Sequence, residues 1–285
     1  MKISRLHRIY SNIKLIENYS LNLAEDHSHY LKTVLRLKIG DHFRIFNGID
    51  GEFIAQITDI TKNNLRVDLT NILRKVIIEP DLTLGISIIK SDRMLYAIDM
   101  AVQLGVTKII PLVTERSQFH NVNNQRLIKC IIESTEQSER LIPPILMPLT
   151  SLSLFLKQNI DNSIIYANEN EDENNTLLKI MPILYSNDLK NEDNKQGASM
   201  LGVQLIREHT YAPQVFTEAN SSKQKSIHSN ISVIVGPEGG FSPNELKMLS
   251  LRPNSLSISL GANVLRTETA VATCLAQIKL LTTNS

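Results

Sequence analysis

The pattern of apolar and polar positions changes character near residue 80. Before that point, apolar and polar residues alternate in short runs of β character, separated by Asn-Gly and Asp-Gly turns. These runs are Phe43–Phe46, Glu52–Ile57 and Leu65–Leu69. A short helix is predicted over Glu25–Leu37, with Asp26 as its N-cap. Together these features predict a small β-rich barrel domain over residues 1–75.

From Leu82 onward, short apolar strands alternate with segments of helical periodicity. Strands are predicted over Leu84–Ile89, Lys108–Val113, Ser163–Ala167, Ser232–Val235 and Leu256–Leu260. Helices are predicted over Asp92–Leu104, within Ser117–Glu139, and over Thr269–Leu281. Such alternation is typical of a parallel sheet with helices on both faces. The predicted fold class is therefore α/β, with a parallel-sheet domain over residues 80–285.

The segment from about residue 168 to 230 interrupts this alternation. It is polar and biased in composition, with the run Asn168–Asn175 as its most polar part. Such a sequence buries too little apolar surface to offset the entropy of ordering the chain. We therefore expect an insertion on the surface of the second domain, part of it disordered.

Two loops rich in glycine carry the clearest chemical signal. The first, Val235–Gly240, follows an apolar strand and leads into a helix whose capping box is Ser242, with Pro243 at N1 and Glu245 at N3. Glycines allow a ligand to approach the backbone closely. Glu238 would repel a phosphate, and the loop has neither the Lys-Ser/Thr pair of a P-loop nor the GxGxxG spacing. A cationic or neutral cofactor suits it better.

The second loop, Leu260–Ala270, joins a strand to the last helix. Thr267 can act as the N-cap of that helix, and Glu268 in its first turn interacts favourably with the helix dipole. These two residues could serve only to start the helix. Arg266 needs an anionic or planar partner, so we expect it to be functional. Because the two loops have the same form, we interpret them as two walls of one cofactor pocket.

Composition excludes several classes of protein. The chain of 285 residues has 42% hydrophobic residues, yet it has no apolar stretch of 18 residues and no secretory signal at Met1–Arg5. The expected class is a cytoplasmic protein with no membrane span. Cys130 and Cys274 are expected to be reduced thiols, and no metal site is predicted because there is no CxxC, HExxH or His/Cys cluster.

Charge is distributed unevenly along the chain. The net charge is +1, but residues 1–75 carry 12 Lys and Arg against 8 Asp and Glu. This excess fits contact with phosphates. Charge alone, however, favours the plainer interpretation of a solvated surface.

A series of motifs in a fixed order resembles the RsmE family of ribosomal RNA methyltransferases, of the SPOUT (trefoil-knot) superfamily. In this chain the motifs are Arg5 with His7-Arg8, His29–Leu31, Val34–Leu37, Lys90–Met94, Leu104–Val106, Glu115–Ser117, Glu136–Ser138 and the two glycine loops. The resemblance covers nearly the whole chain apart from the insertion.

The resemblance implies a PUA-like β-barrel that helps to bind RNA, followed by a knotted methyltransferase domain that binds S-adenosyl-L-methionine across a homodimer interface. The implied reaction is methylation of N3 of a uridine in 16S rRNA of the small ribosomal subunit. The expected cofactor-binding residues are Gly236, Pro237, Glu238, Gly239, Gly240, Leu260, Gly261, Val264, Leu265 and Thr267.

The same resemblance suggests roles for individual side chains. Arg266 is expected to stabilise negative charge on the uracil carbonyl oxygens. Glu268 is the candidate base, and Glu238 is the less favoured one. The expected RNA contacts are Arg5, Arg8, His29, Arg36 and Arg116.

Three positions depart from the family pattern. Asn263 stands where the family usually has Arg, and Met100 and Gln103 replace a Lys and a Glu. Loss of an Arg beside the pocket suggests one alternative, an RNA- or ribosome-binding protein with weakened catalysis. A separate alternative is a SPOUT methyltransferase that acts on a different RNA.

Overall fold

The computed structural model describes residues 3–61, 64–160, 162–177 and 231–283. These residues divide into two compact units, which are described separately below. The first contains residues up to Ile78 together with Ile132–Pro143. The second contains Glu79–Ile131 and the described residues that follow Pro143.

The first unit is built on a mostly antiparallel sheet in the order β1-β3-β4-β5-β2. Its strands are β1 (Arg8–Tyr10), β2 (Ser20–Asn22), β3 (His42–Asn47), β4 (Gly51–Ile60) and β5 (Leu65–Arg74). A 3₁₀ turn (Ile3–Arg5) precedes them, and α1 (Glu25–His29) continues into a π-helical turn (Tyr30–Val34) between β2 and β3. The core is apolar, with Leu31, Phe43, Ile45, Leu65 and Val67 fully buried.

The helix near the N-terminus is shorter than predicted. It ends as a π-helical turn at Val34, and Arg36 then adopts a positive φ of 55°, which a continuing helix does not allow. The prediction that Asp26 caps the helix is wrong, because Ala24 occupies the N-cap position and makes no side-chain bond. Asp26 lies instead in the first turn, where an acidic side chain interacts favourably with the helix dipole.

A buried cluster of charged side chains also belongs to the first unit. The carboxylate of Glu52 is 1% exposed and accepts hydrogen bonds of 2.6 Å from Arg8 Nε and from Arg74 Nε, while Arg44 Nη1 lies 3.7 Å away. Burial alone would raise the pKa of Glu52, but the bonds from Arg74 and Arg8 outweigh it and hold that pKa below its ordinary value. Arg8 also donates to the carbonyl oxygens of Thr135, Glu136 and Arg140.

The second unit is α/β, and its sheet runs in the order β12-β10-β11-β6-β7-β8, with β9 paired to β7. All of the pairings are parallel. The strands are β6 (Leu82–Ser87), β7 (Lys108–Val113), β8 (Ile145–Leu146), β9 (Thr150–Ser151), β10 (Ser163–Ala167), β11 (Ile231–Val235) and β12 (Ser255–Ile258). The helices are α2 (Ser91–Gln103), α3 (Asn124–Gln137, whose residues from Ile132 onward belong to the first unit), α4 (Leu152–Gln158), α5 (Pro243–Ser250) and α6 (Thr267–Thr283).

Apolar clusters cover both faces of this sheet. Neighbouring residues of one strand alternate between them, as Ile109 and Ile110 do, because successive side chains of a strand point to opposite faces. One cluster includes residues of α2 and α6, and the other includes Phe155 of α4 and Leu249 of α5. The predicted α/β class with a parallel sheet and a small β-rich N-terminal domain is therefore confirmed.

Several short elements escaped prediction, namely β1, β2, β8, β9 and α4. The four strands have two or three residues each, which is too short to show a period. The predicted insertion lies mostly outside the residues that the structure describes. Its first part, Asn168–Leu177, is described, and Leu177 is fully buried in a core cluster of the second unit.

Three further features of the described residues are the state of the cysteines, the apolar character of the helices and the grouping of possible metal ligands. Neither Cys130 nor Cys274 forms a disulfide, and burial raises the pKa of the Cys274 thiol to about 12, so that thiol stays protonated. Within the described ranges, none of the helices has the length and apolar character needed to cross a membrane. In the same part of the chain, His, Cys, Asp and Glu side chains form no group of three or more that could hold a metal ion.

Candidate active site

A cavity in the second unit lies where β10, β11 and β12 end. Its walls are the last residue of β10 with the three that follow it (Ala167–Asn170) and the two glycine loops. The space between them, counted out to solvent, is about 760 Å³, within the range of small-molecule and cofactor sites. In open parallel sheets, ligands bind outside the carboxyl ends of the strands, which is where this cavity lies.

The first loop is held in place by the capping box that the sequence predicts. Ser242 Oγ accepts a hydrogen bond from the Glu245 amide, and the Glu245 carboxylate accepts one of 2.8 Å from the Ser242 amide. The other oxygen of that carboxylate accepts a bond of 2.9 Å from the Glu115 amide, after β7. Since Glu245 is buried, these bonds fix the start of α5 and with it the position of the glycines.

The second loop is bonded to the first through Thr267. Its buried hydroxyl donates a hydrogen bond of 3.1 Å to the carbonyl oxygen of Gly236. The prediction that Thr267 is the N-cap of the last helix is wrong, because α6 begins at Thr267 itself and its hydroxyl is used across the cavity. Residues of both loops line the same cavity, as the interpretation of two walls of one pocket requires.

The loops leave room for a ligand that lies close to the backbone. Gly261 lines the cavity at a φ of 107°, a conformation that favours glycine, and a Cβ built on it would meet no protein atom within 4 Å. Most of the lining is apolar or uncharged. This combination suits a nucleoside cofactor better than a group of phosphates, which would call for cationic side chains.

The predicted cofactor residues fall into two groups. Those that line the cavity are Gly236, Pro237, Gly240, Leu260, Gly261, Val264, Leu265 and Thr267. Glu238 and Gly239 lie in the same loop but are not part of the lining. Sequence reasoning missed Asn168, Glu169 and Asn170, although they directly follow the predicted strand Ser163–Ala167.

Neither candidate catalytic residue is part of the cavity lining. Arg266 is exposed, and its guanidinium has no hydrogen-bond or ion-pair partner among the described residues. Glu268 is 14% exposed, and its Oε2 is buried with no hydrogen-bond partner in the described part of the chain. A buried carboxylate oxygen without a partner is costly to a fold, which is one reason to assign such a group to function.

Arg93 of α2 links the acidic residues of both loops. Its Nη1 lies 3.1 Å from Glu238 Oε1, and its Nε lies 4.0 Å from Glu268 Oε1. The sequence placed Arg93 only within a motif and assigned it no role. The structure shows that the two candidate bases share one cation, with the closer contact to Glu238.

The residues predicted to contact RNA differ in their surroundings. Arg5, His29 and Arg36 are exposed in the first unit. Arg8 is buried, and its donors are bonded to Glu52 and to backbone carbonyl oxygens, so the structure gives it a structural role. Arg116 is exposed, and its Nη1 donates a bond of 2.8 Å to the Gly239 carbonyl oxygen of the first loop.

The structure also shows where the three positions that depart from the family pattern lie. Asn263 lines the cavity with an exposed side chain. Gln103 lies in α2, where its amide donates to Asp99 Oδ2 at 2.9 Å. Met100 is half-buried on the same helix, and neither Met100 nor Gln103 is part of the cavity lining.

The chain matches two family models over most of its length. A model described as an RNA methyltransferase domain matches residues 78–188 and 173–279. A model described as an RNA methyltransferase PUA domain matches residues 23–70.

Curated and solved relatives cover nearly the whole chain. Ribosomal RNA small subunit methyltransferase E of Rickettsia conorii is 46% identical over 278 residues, which are 97% of this chain and 96% of the relative. A protein from Legionella pneumophila, described as a methyltransferase and solved with the bound cofactor SAM, superimposes with a TM-score of 0.73 at 25% identity, covering 97% of this chain and 98% of that one.

The ribosomal RNA small subunit methyltransferase E from Neisseria gonorrhoeae, solved with S-adenosyl methionine, has a TM-score of 0.70 at 22% identity, with 97% and 98% coverage. This second structure supports the fold. The PUA and methyltransferase parts of the predicted fold class are thus confirmed, and the chain belongs to the RsmE family of ribosomal RNA methyltransferases, in the SPOUT superfamily.

Proposed function

We propose that this protein transfers a methyl group from S-adenosyl-L-methionine to N3 of a uridine in 16S rRNA of the small ribosomal subunit. The observation that carries the proposal is the cavity between two glycine loops, joined by the bond from Thr267 to Gly236, in a chain that is 46% identical to an enzyme named for this class of reaction.

The cofactor would be held by the backbone of both loops and by the apolar residues between them. Gly236, Gly240 and Gly261 give access to the main chain, and Leu260 and Leu265 provide an apolar surface. When bound, the cofactor supplies an electrophilic methyl group on a sulfonium. The cavity suits that charge because no cationic side chain is among the described residues that line it.

The protein's own residues must make N3 of uracil nucleophilic, since this nitrogen carries a proton. We assign removal of the proton to the Oε2 atom of Glu268, which is buried and has no hydrogen-bond partner in the described structure. General base catalysis of this kind contributes about 10²- to 10⁴-fold. Arg266, whose guanidinium is exposed, would stabilise the negative charge that develops on the uracil oxygens.

Arg93 positions the base. Because its guanidinium pairs with Glu238 at 3.1 Å, the Glu238 carboxylate is already engaged, and Glu268 at 4.0 Å is the less constrained acceptor. This asymmetry supports the order of preference, Glu268 before Glu238, and it makes Arg93 a positioning residue.

RNA binding is assigned to exposed basic groups. Arg5, His29 and Arg36 of the first unit are available to phosphates, and Arg116 lies against the first glycine loop. The protein is proposed to act as a homodimer in the cytoplasm. Sedimentation equilibrium of the purified chain tests the dimer, and a monomer at working concentration would contradict it.

The two alternatives have less support. Asn263 lines the cavity without filling it, so its presence is compatible with a bound cofactor. Identity of 46% over nearly the whole length favours the reaction of the relative over an RNA-binding role without catalysis, and over a different RNA.

Mass spectrometry of rRNA nucleosides tests the reaction and the substrate together. Cells without the gene should lack 3-methyluridine in 16S rRNA, and a plasmid copy should restore it. A plasmid copy with Glu268→Gln serves as the matched control, since it should fold and fail to restore the nucleoside. Unchanged 3-methyluridine after deletion would overturn the proposal.

A further inference from the structure

The cavity contains a carboxylate that no motif drew attention to. Glu169 lies two residues after the end of β10. Among the described residues that line the cavity, it is the only one with an ionisable side chain. In the part of the chain that the structure describes, this carboxylate has no hydrogen-bond or ion-pair partner.

The backbone on both sides of Glu169 is fixed. The Asn168 amide donates to the Ile258 carbonyl oxygen at 3.0 Å, and Asn168 Nδ2 donates to Ser257 Oγ at 3.2 Å. Asn168 Oδ1 in turn accepts a bond of 3.1 Å from the Asn170 amide. The segment is therefore bonded to β12, and Glu169 is presented at a defined place.

The first glycine loop is shaped to accept this carboxylate. Gly240 has a φ of 66°, and a Cβ built on it would lie 3.0 Å from Glu169 Oε1. The absence of a Cβ at Gly240 lets the carboxylate lie this close to the loop without shifting. Glu171, two residues further on, is used differently, because a hydrogen bond with Ser257 is the main reason that its pKa is lowered.

The order of the strands indicates which group of a ligand the Glu169 carboxylate would bind. β10 and β11 are neighbouring parallel strands, with the glycine loop after β11 and Glu169 after β10. In dinucleotide-binding folds, an acidic residue after the strand next to the glycine loop binds the ribose hydroxyls. The two oxygens of a carboxylate can accept hydrogen bonds from two adjacent hydroxyl groups.

We propose that Glu169 binds the ribose hydroxyls of the nucleoside part of the cofactor. The inference rests on the proposed function, because it requires that the ligand be a nucleoside. An exposed carboxylate attracts a distant cation only weakly, since water and salt screen it. Short bonds to a diol depend on the fixed placement that Asn168 and Gly240 provide.

Binding of cofactor analogues to the full-length protein tests this inference. Calorimetry with S-adenosylhomocysteine is compared for wild type, Glu169→Ala, Glu169→Gln and the control Glu173→Ala. Glu173 is an exposed carboxylate of the same segment and does not line the cavity. We expect Glu169→Ala to weaken binding about 10- to 100-fold, Glu169→Gln to weaken it less, and Glu173→Ala to have no effect.

Competition by nucleosides identifies the group that Glu169 contacts. Adenosine should displace labelled S-adenosylmethionine from wild type more effectively than 2′-deoxyadenosine or 3′-deoxyadenosine does. In Glu169→Ala this preference should disappear, because the removed carboxylate was the partner of the hydroxyls. Thermal melting of each variant checks that it is folded.

Three outcomes overturn the inference. Unchanged affinity of Glu169→Ala would show that the carboxylate makes no contact, and a retained preference for adenosine would show that the hydroxyls are bound elsewhere. A larger loss for S-adenosylmethionine than for S-adenosylhomocysteine would assign Glu169 to the sulfonium. Failure of wild type to bind either compound would overturn the proposed function itself.

Discussion

The charged residues of the first unit and those around the cavity of the second unit are used in opposite ways. Glu52 is 1% exposed, and each of its oxygens accepts a bond of 2.6 Å from an arginine. Glu268 also has a buried carboxylate oxygen, but no described residue donates a hydrogen bond to it. A buried carboxylate with all of its partners stabilises a fold, whereas one that lacks them is expected to serve a ligand.

Two arginines show the same contrast. The sequence analysis predicted that Arg8 contacts RNA and that Arg266 is catalytic. Arg8 is buried, and its guanidinium bonds to Glu52 and to three carbonyl oxygens. Arg266 is exposed, and its guanidinium has no hydrogen-bond or ion-pair partner in the described ranges. The same residue type within a motif can therefore be structural or functional, and only its partners distinguish the two.

Replacing Glu268 should have the largest effect. If its carboxylate removes the N3 proton, Glu268→Gln should lower kcat by about 10²- to 10⁴-fold while it changes the affinity for S-adenosylmethionine little. The measurement is single-turnover methylation of small subunits with labelled cofactor, with binding determined separately by calorimetry.

Glu238→Gln is the matched control for this prediction. It neutralises the other carboxylate that pairs with Arg93, in the first loop instead of the second. We expect a smaller loss of kcat than for Glu268→Gln. A larger loss would transfer the role of base to Glu238 and reverse the assignment.

Replacing Glu52 should have the next largest effect, and on stability instead of turnover. Glu52→Gln removes the charge that compensates the buried guanidinium groups of Arg8 and Arg44. Breaking a buried pair in this way costs about 3–5 kcal/mol of the free energy of unfolding. Urea unfolding followed by circular dichroism measures it, since the chain has no tryptophan for fluorescence.

Asp59→Asn is the control, because Asp59 is an exposed carboxylate of the same strand, β4. Its effect should stay within about 0.5 kcal/mol. Equal effects of the two substitutions would show that the Glu52 cluster contributes no specific stability.

The dependence of stability on pH gives a second measurement of the Glu52 cluster. Because the pKa of Glu52 is lower in the folded protein, its contribution is present above its ordinary value of about 4.5 and is lost as the pH falls through the lowered pKa. Wild type should therefore lose more stability than Glu52→Gln below pH 4.5. If stability fell equally with pH in the two proteins, the stabilising role of the ion pairs of Glu52 would be contradicted.

Removing the bond between the loops should have an intermediate effect. Thr267→Val keeps the shape of the side chain but leaves the Gly236 carbonyl oxygen without the hydroxyl that it accepts from at 3.1 Å. We expect a loss of about 1–3 kcal/mol in stability and weaker binding of S-adenosylmethionine. Thr269→Val, at an exposed position of the same helix, is the control. An equal loss from this variant would show that the bond from Thr267 to Gly236 is not the cause.

The sequence predicted the strands and the helix start around the site better than the contacts between residues that are distant in the chain. The capping box of Ser242 and Glu245 and the strands Lys108–Val113 and Ser163–Ala167 were predicted as the structure has them, because each depends on residues close together in the chain. The bond from Thr267 to Gly236 joins residues 31 positions apart, and the contact of Arg93 with Glu238 joins residues 145 apart. No local pattern encodes such pairs.

Burial was equally inaccessible from the sequence. Arg8 and Arg36 both belong to basic motifs of the N-terminal region, and nothing in their neighbours along the chain separates them. Only the strand pairing of β1 with β3 brings Arg8 to Glu52 of β4. Arg36 follows the π-helical turn and stays exposed.

Replacing Arg36 should have the smallest effect. It tests whether this exposed arginine contacts RNA, in contrast to the buried Arg8. If Arg36 contacts one phosphate, Arg36→Gln should weaken binding of the small subunit RNA several-fold and lower the slope of log K against log salt by about 0.7–0.9. Folding and cofactor binding should not change, because the side chain is exposed. The measurement is filter binding at several salt concentrations.

Arg66→Gln is the control. Arg66 is an exposed arginine of β5 in the same unit, so the substitution removes the same charge at a position with no predicted RNA contact. Equal changes of slope in both variants would mean that the first unit attracts RNA through its total charge, and Arg36 would then lose its assignment as a contact.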